Sequence, residues 1–115
     1  LLKYSGYNIT WEDFATTING YLSSTLHINE DKLIGPYFLK KDELLDNNKI
    51  ASKLLIYLWD DVVRHPREEL FGQEYNTFSS VLANFSSGEK SIFVEDLEQL
   101  LYSKRKSEEI SDTNE

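Results

Sequence analysis

The sequence predicts an all-α fold, a small bundle of about four to five helices with room for one short extended segment. Three observations predict it. Apolar residues recur at steps of three and four in separate stretches, residues that cap helices stand at the head of those stretches, and Gly or Pro stands near their ends. At 115 residues the chain has enough apolar surface for one core and little more.

The first helix starts after Thr10, whose hydroxyl can meet an orphan backbone N–H, and Asp13 suits the positive helix end. Trp11, Phe14, Ala15, Ile18, Leu22 and Leu26 then fall on one face, so the helix runs to about Leu26, with Gly20 a weak point inside it. His27 follows, where an imidazolium would help satisfy the negative terminus. With His65 as the one other histidine, nothing in the spacing points to a shared metal.

Next comes Glu30-Asp31-Lys32-Leu33-Ile34-Gly35-Pro36-Tyr37-Phe38, three ionisable side chains ahead of a Gly-Pro break and an aromatic pair. It lies between two amphipathic segments, where the chain turns from one helix toward the next, and is the leading candidate site. Gly35 suits an unusual φ or a close backbone approach, and Pro36 fixes the direction in which Tyr37 and Phe38 leave. Lys32 can pair with Glu30, Asp31 or a partner carboxylate, or can reach a phosphate; the pairing is the simpler reading. Lys40 to Leu45 forms a short helical turn or an extended segment.

Asp46-Asn47-Asn48 supplies cap chemistry for the next helix, whose apolar positions are Ala51, Leu54, Leu55, Leu58 and Val62. Ile50, Tyr57 and Val63 widen the band, which places this helix centrally. Pro66 ends or restarts it, and Pro66 to Phe71 suits a short helix stopped by Gly72. Asn76 or Thr77 caps a further helix with Phe78, Val81, Leu82 and Phe85 on its buried face, closed by Ser86-Ser87-Gly88. Ile92-Phe93-Val94 reads equally as strand or helix. Leu97, Leu100 and Leu101 continue a helical pattern to about Tyr102. The domain is thus 1–102, and 103–115 is a charged tail too poor in apolar residues to order itself.

The formal charge of −8 argues against a phosphate-tracking surface, since nucleic-acid affinity rests on clustered cations, and Lys104-Arg105-Lys106 is the one such cluster in the sequence. With no cysteine there is neither a disulfide nor a thiolate metal site, which fits a reducing, cytoplasmic setting. No apolar run reaches the roughly 20 residues that span a bilayer. The sequence contains no Met, and a piece of a longer chain is expected.

Catalytic partners are scarce. There is no Gly-x-Ser-x-Gly elbow and no Gly-rich phosphate loop followed by Lys and Ser or Thr. Glu30, Asp31, Asp60 and Asp61 are the carboxylates from which a metal or acid–base pair would be drawn. Adjacent Asp60 and Asp61 on a helix point about 100° apart, which suits solvent better than a shared ion.

The segment from Glu30 to Leu39, with its Asp31-Lys32-x-Ile34-Gly35-x-x-Phe38 pattern, followed by Lys53-Leu54-Leu55-Ile56-Tyr57-Leu58-Trp59-Asp60-Asp61-Val62-Val63-Arg64, resembles the C-terminal portion of AAA+ ATPases related to the nucleotide-driven subunit of McrBC-type restriction systems. Ile18-Asn19 with Leu22 resembles the helix ahead of that pattern, and the likeness runs from about Ile9 to Phe93. It implies a helical lid that packs against a nucleotide domain whose Walker and sensor elements this sequence lacks. On that resemblance Asp31, Lys32, Gly35 and Pro36 face the nucleotide or the neighbouring subunit, and Lys32 stands in for a sensor arginine. It also implies a parent nucleoside triphosphatase using ATP or GTP with Mg, a chain that is inactive alone and binds no cofactor by itself, neighbouring subunits and a nuclease as partners, and DNA met only through other domains. The alternative is a stand-alone acidic interaction module whose aromatic patch of Trp59, Tyr37 and Phe38 docks a partner helix.

Overall fold

The computed structural model describes residues 2–35, 38–40, 42–63, 69–72 and 77–106. The chain opens on a feature the helical periodicity did not announce, a β-hairpin. Strand β1 (Leu2–Tyr4) pairs antiparallel with β2 (Tyr7–Ile9) in the register Leu2 with Ile9, Lys3 with Asn8 and Tyr4 with Tyr7. Ser5 and Gly6 make the turn at φ values of 52° and 84°, the doubly left-handed geometry whose twist matches a two-residue hairpin. Leu2, Tyr4 and Ile9 point into the core while Lys3 stays outside. The fold is therefore mostly helical with a small two-stranded sheet, a correction to the all-α expectation.

Helix α1 (Trp11–Ser24) begins where the cap chemistry places it, with the Thr10 side chain accepting the Asp13 N–H at 3.1 Å. Thr10→Ala is expected to cost about 1 kcal/mol in urea unfolding, and a change below ~0.3 kcal/mol would mean the cap carries no weight. The helix stops short of Leu26. Thr25 and Leu26 both donate to the Tyr21 carbonyl and Ile28 donates to that of Leu22, while His27 adopts a left-handed φ of 57°. Backbone N–H groups thus satisfy the terminal carbonyls assigned to an imidazolium.

After a tight turn at Glu30–Lys32 and another at Glu43–Leu45, helix α2 (47–62) runs through the core. Asp46 caps it, its carboxylate accepting the Asn48 N–H at 2.8 Å and its carbonyl those of Lys49 and Ile50. The helix begins α-helical at Asn47–Ile50 and widens into π-helical turns at Ala51–Leu55 and Leu58–Val62. Ile50, Ala51, Leu54, Leu55 and Leu58 are wholly buried, as a central helix requires. Trp59 is buried too, against Phe71 and Phe78, with ring centroids 5.2 and 5.9 Å away. The surface aromatic patch of the alternative reading loses that member, and Tyr37 lies outside the described residues.

The short helix expected over 66–71 falls largely outside the described residues. Its end, Leu70 and Phe71, is buried, and Phe71 bridges Phe93 antiparallel. Gly72 N–H donates to the Ile92 carbonyl at 3.0 Å and Val94 N–H to that of Leu70 at 2.9 Å, so the undecided segment at 92–94 is extended. Between these bridging segments α3 (Phe78–Ser87) follows its sequence signals, capped by Thr77 and closed by Gly88 at a left-handed φ of 74°. Helix α4 (Glu95–Ser103) carries Glu95, Asp96 and Glu98 in its first turn, where the helix dipole favours acids. It packs on α1. Beyond it the chain does not leave at Ser103 as a tail. Lys106 bridges Asn8 of β2, its N–H reaching the Asn8 carbonyl at 2.7 Å, and its ammonium lies 3.6 Å from Asp13. Residues 107–115 lie outside the described residues.

The centre of the core is aromatic. Tyr4, Phe14, Phe85 and Phe93 meet with ring centroids between 5.4 and 6.3 Å apart, in tilted arrangements that suit ring quadrupoles. Every fully buried residue among those described is apolar or aromatic. No helix among them is long and apolar enough to cross a membrane.

Candidate functional site

The charged corner is held from both sides. Asn19, in the middle of α1, clamps the backbone of Ile34: its side-chain amide donates to the Ile34 carbonyl at 2.9 Å and its carbonyl oxygen accepts the Ile34 N–H at 2.8 Å. From α2, the Tyr57 hydroxyl donates to the Lys32 carbonyl at 2.9 Å. Burial, with the Asp61 and Asp31 carboxylates nearby, pushes the Tyr57 phenol above its ordinary pKa, so it stays a donor. Ile34 is buried beneath the corner and Leu33 is partly so, which anchors the stretch by its apolar residues.

What the corner presents outward is polar. Glu30, Asp31, Lys32 and Gly35 are all exposed, and among the described residues no ion pair joins Lys32 to Glu30 or Asp31. The pairing of Lys32 with Glu30 or Asp31 is therefore not made among the described residues. Gly35 does not sit at positive φ, and a Cβ built on it would meet nothing within 4 Å. Among the described residues neither reason proposed for this glycine is met. Pro36 lies outside the described residues. Asp31, Lys32 and Gly35 are thus brought together on one open surface, braced by groups beneath it.

The other carboxylates do not join them. Asp60 and Asp61 are exposed on α2, and among the described residues no group of three or more His, Cys, Asp or Glu is placed to hold a metal.

A second polar centre lies between the hairpin and α4. Glu98 accepts the Tyr4 hydroxyl and, at 2.9 Å, the Phe93 N–H; the Tyr4 oxygen in turn accepts the Ile92 N–H at 2.8 Å. Burial holds the Glu98 carboxyl above its ordinary range, and the bonds from Tyr4 and from backbone N–H groups pull it part of the way back. The Tyr4 phenol is raised well above its usual value by burial and by the Glu98 charge. Sequence reasoning missed this centre because it couples residues 94 positions apart. One local signal was available, an acid in the first turn of α4 lying between the apolar positions Leu97 and Leu101.

No family model and no solved structure matches the chain. Among curated proteins it is similar to the Type II restriction enzyme BsuMI component YdiS of Bacillus subtilis (strain 168), with 39% identity over 100 residues. The similarity covers 84% of this chain and 28% of that protein, so the chain spans less than a third of its relative's length.

Proposed function

We propose that the chain is the helical lid of a nucleotide-driven restriction motor, and that the corner at Asp31, Lys32, Gly35 and Pro36 is where it meets the rest of the machine. The observation that carries this reading is the corner itself: an exposed cation that pairs with no acid among the described residues, beside a glycine whose Cβ position is open, braced by Asn19 and Tyr57 and covered by no other described residue. The similarity to a restriction enzyme component adds support, because most of that relative's length lies outside the matched part.

In this reading the residues present do no hydrolysis. Bound ATP or GTP with Mg, held by a core domain, would supply the cleavage energy. Lys32 offers a charge to a phosphate or to an acidic group of a neighbouring subunit, and Gly35 leaves room for another backbone. The buried Ile34 and the Asn19 clamp keep that face in place while the lid moves as a unit, so that subunits shift against one another and act on a nuclease partner or on DNA bound elsewhere.

Lys32→Ala in the full-length protein is expected to lower nucleotide turnover or ring assembly about tenfold or more, equivalent to ~1.4 kcal/mol. Its circular dichroism and melting temperature should stay unchanged, because the side chain is exposed. Unaltered turnover together with unaltered oligomer size would reject the assignment. Upstream coding sequence carrying a phosphate loop and an acidic strand end would favour it over a stand-alone interaction module.

A further inference from the structure

The Glu98 centre borders a cleft of about 740 Å³ between the hairpin and α4. Tyr7, Phe93 and Tyr102 give it an aromatic wall, Glu95 and Glu98 give it charge, and among the described residues no Lys, Arg or His lines it. The Tyr4 hydroxyl and the Phe93 N–H both meet Glu98 at one oxygen, Oε2, and the Ile92 N–H also favours the charged carboxylate, while the carboxyl stays on the border of the cleft. Tyr7 buries its hydroxyl with no hydrogen-bond partner. The cleft therefore holds a half-buried carboxylate that no described cation pairs with and a phenol without a hydrogen-bond partner, both uncomfortable away from water.

A second depression shares Ser5, Tyr7 and Tyr102 with the first and has the opposite character, lined among the described residues by Lys3, Arg105 and Lys106 and by no acid. There Arg105 lays its guanidinium over the Tyr102 ring, 3.8 Å from the centroid. Tyr102 already serves this chain as a platform for a guanidinium.

We infer that the acidic cleft receives an arginine side chain of another protein, its guanidinium set against the aromatic wall and paired with Glu98. Arginine fits better than lysine because a planar, weakly hydrated guanidinium both stacks on rings and forks onto a carboxylate, whereas an ammonium gives up more hydration. An anionic group is repelled by Glu95 and Glu98, and a neutral one leaves the desolvated carboxylate uncompensated. The chain's net charge of −8 favours the approach of a basic segment.

The test is a titration of the protein with N-acetyl-arginine methylamide, followed by amide NMR, against the citrulline analogue, which keeps the shape without the charge. Saturable shifts centred on Tyr7, Phe93, Glu98 and Tyr102 are expected, with arginine bound about fivefold or more tightly than citrulline. Glu98→Gln should reduce arginine binding toward the citrulline level. Tyr102→Ala, at a residue 51% exposed, should weaken it about threefold, and it carries the test should the Glu98 variant fail to fold. Equal shifts for the two compounds, shifts centred elsewhere, or full binding by the Tyr102 variant would overturn the inference.

Discussion

Tyr4→Phe is expected to lower the unfolding free energy by about 2–3 kcal/mol, because one oxygen is removed from a site where two buried partners depend on it. The ring remains, so the packing on Phe14, Phe85 and Phe93 is kept. What is lost is the donor to Glu98 and the acceptor for the Ile92 N–H. In a domain of this size that is a drop in melting temperature on the order of 10 °C. A shift under ~2 °C would mean that water replaces the hydroxyl at no cost.

The loss should depend on pH. Burial raises the Glu98 carboxyl in the folded state, so the folded protein holds its proton more tightly than the unfolded chain. Stability from this group is therefore greatest below the ordinary glutamate value of about 4.3, and falls as pH rises from there through the raised value. Removing the Tyr4 donor leaves the carboxylate less compensated. The penalty in Tyr4→Phe should accordingly be larger at pH 7 than at pH 4, and Glu98→Gln should flatten the difference. Equal penalties at both pH values would show that Glu98 keeps the same charge state across the range.

Asn19→Ala is expected to cost about 2 kcal/mol and to loosen the corner, since it strips both the donor and the acceptor that hold the Ile34 peptide groups. Amide exchange at Ile34 should accelerate about tenfold or more, the equivalent of ~1.4 kcal/mol of local stability. Exchange at Phe14 or Leu54, deep in the core, should change only by the global loss. If exchange at Ile34 instead tracks the global loss alone, the clamp does not hold the corner separately. Under the proposed lid role, the same substitution in a protein that carries the nucleotide domain should impair turnover more than Tyr57→Phe, which removes one bond to the Lys32 carbonyl rather than two to Ile34.

The helices with local signals were readable in advance. Thr10, Asp46, Thr77 and Gly88 act within a few residues of themselves, and each takes its predicted part. The hairpin was missed although its cues were present: Leu2 and Tyr4 alternate with Lys3, and Ser5-Gly6 stands before Tyr7-Asn8-Ile9. Three-residue strands give too short a pattern to compete with a strong helix next door. The alternative reading put Trp59 in a docking patch with Tyr37 and Phe38, whereas the wide apolar band of α2 turns it inward onto Phe71 and Phe78. The corner's prominence was legible from its density of unusual residues. Its bracing was not, because Asn19 and Ile34 meet only once the chain has turned back beside α1.

The bridge between Lys106 and Asn8 sets the entering and departing stretches side by side on one edge. A polypeptide continuing from either would tether the body at a single pivot, from which the fourteen residues of α1 extend like an arm. That arm is about 21 Å long at 1.5 Å per residue, so a swing of roughly 10° at the pivot carries its far end about 4 Å. Small torques applied at such a pivot would in this way be magnified at the opposite end of the arm, and a wedge that stiffens the pivot would damp them.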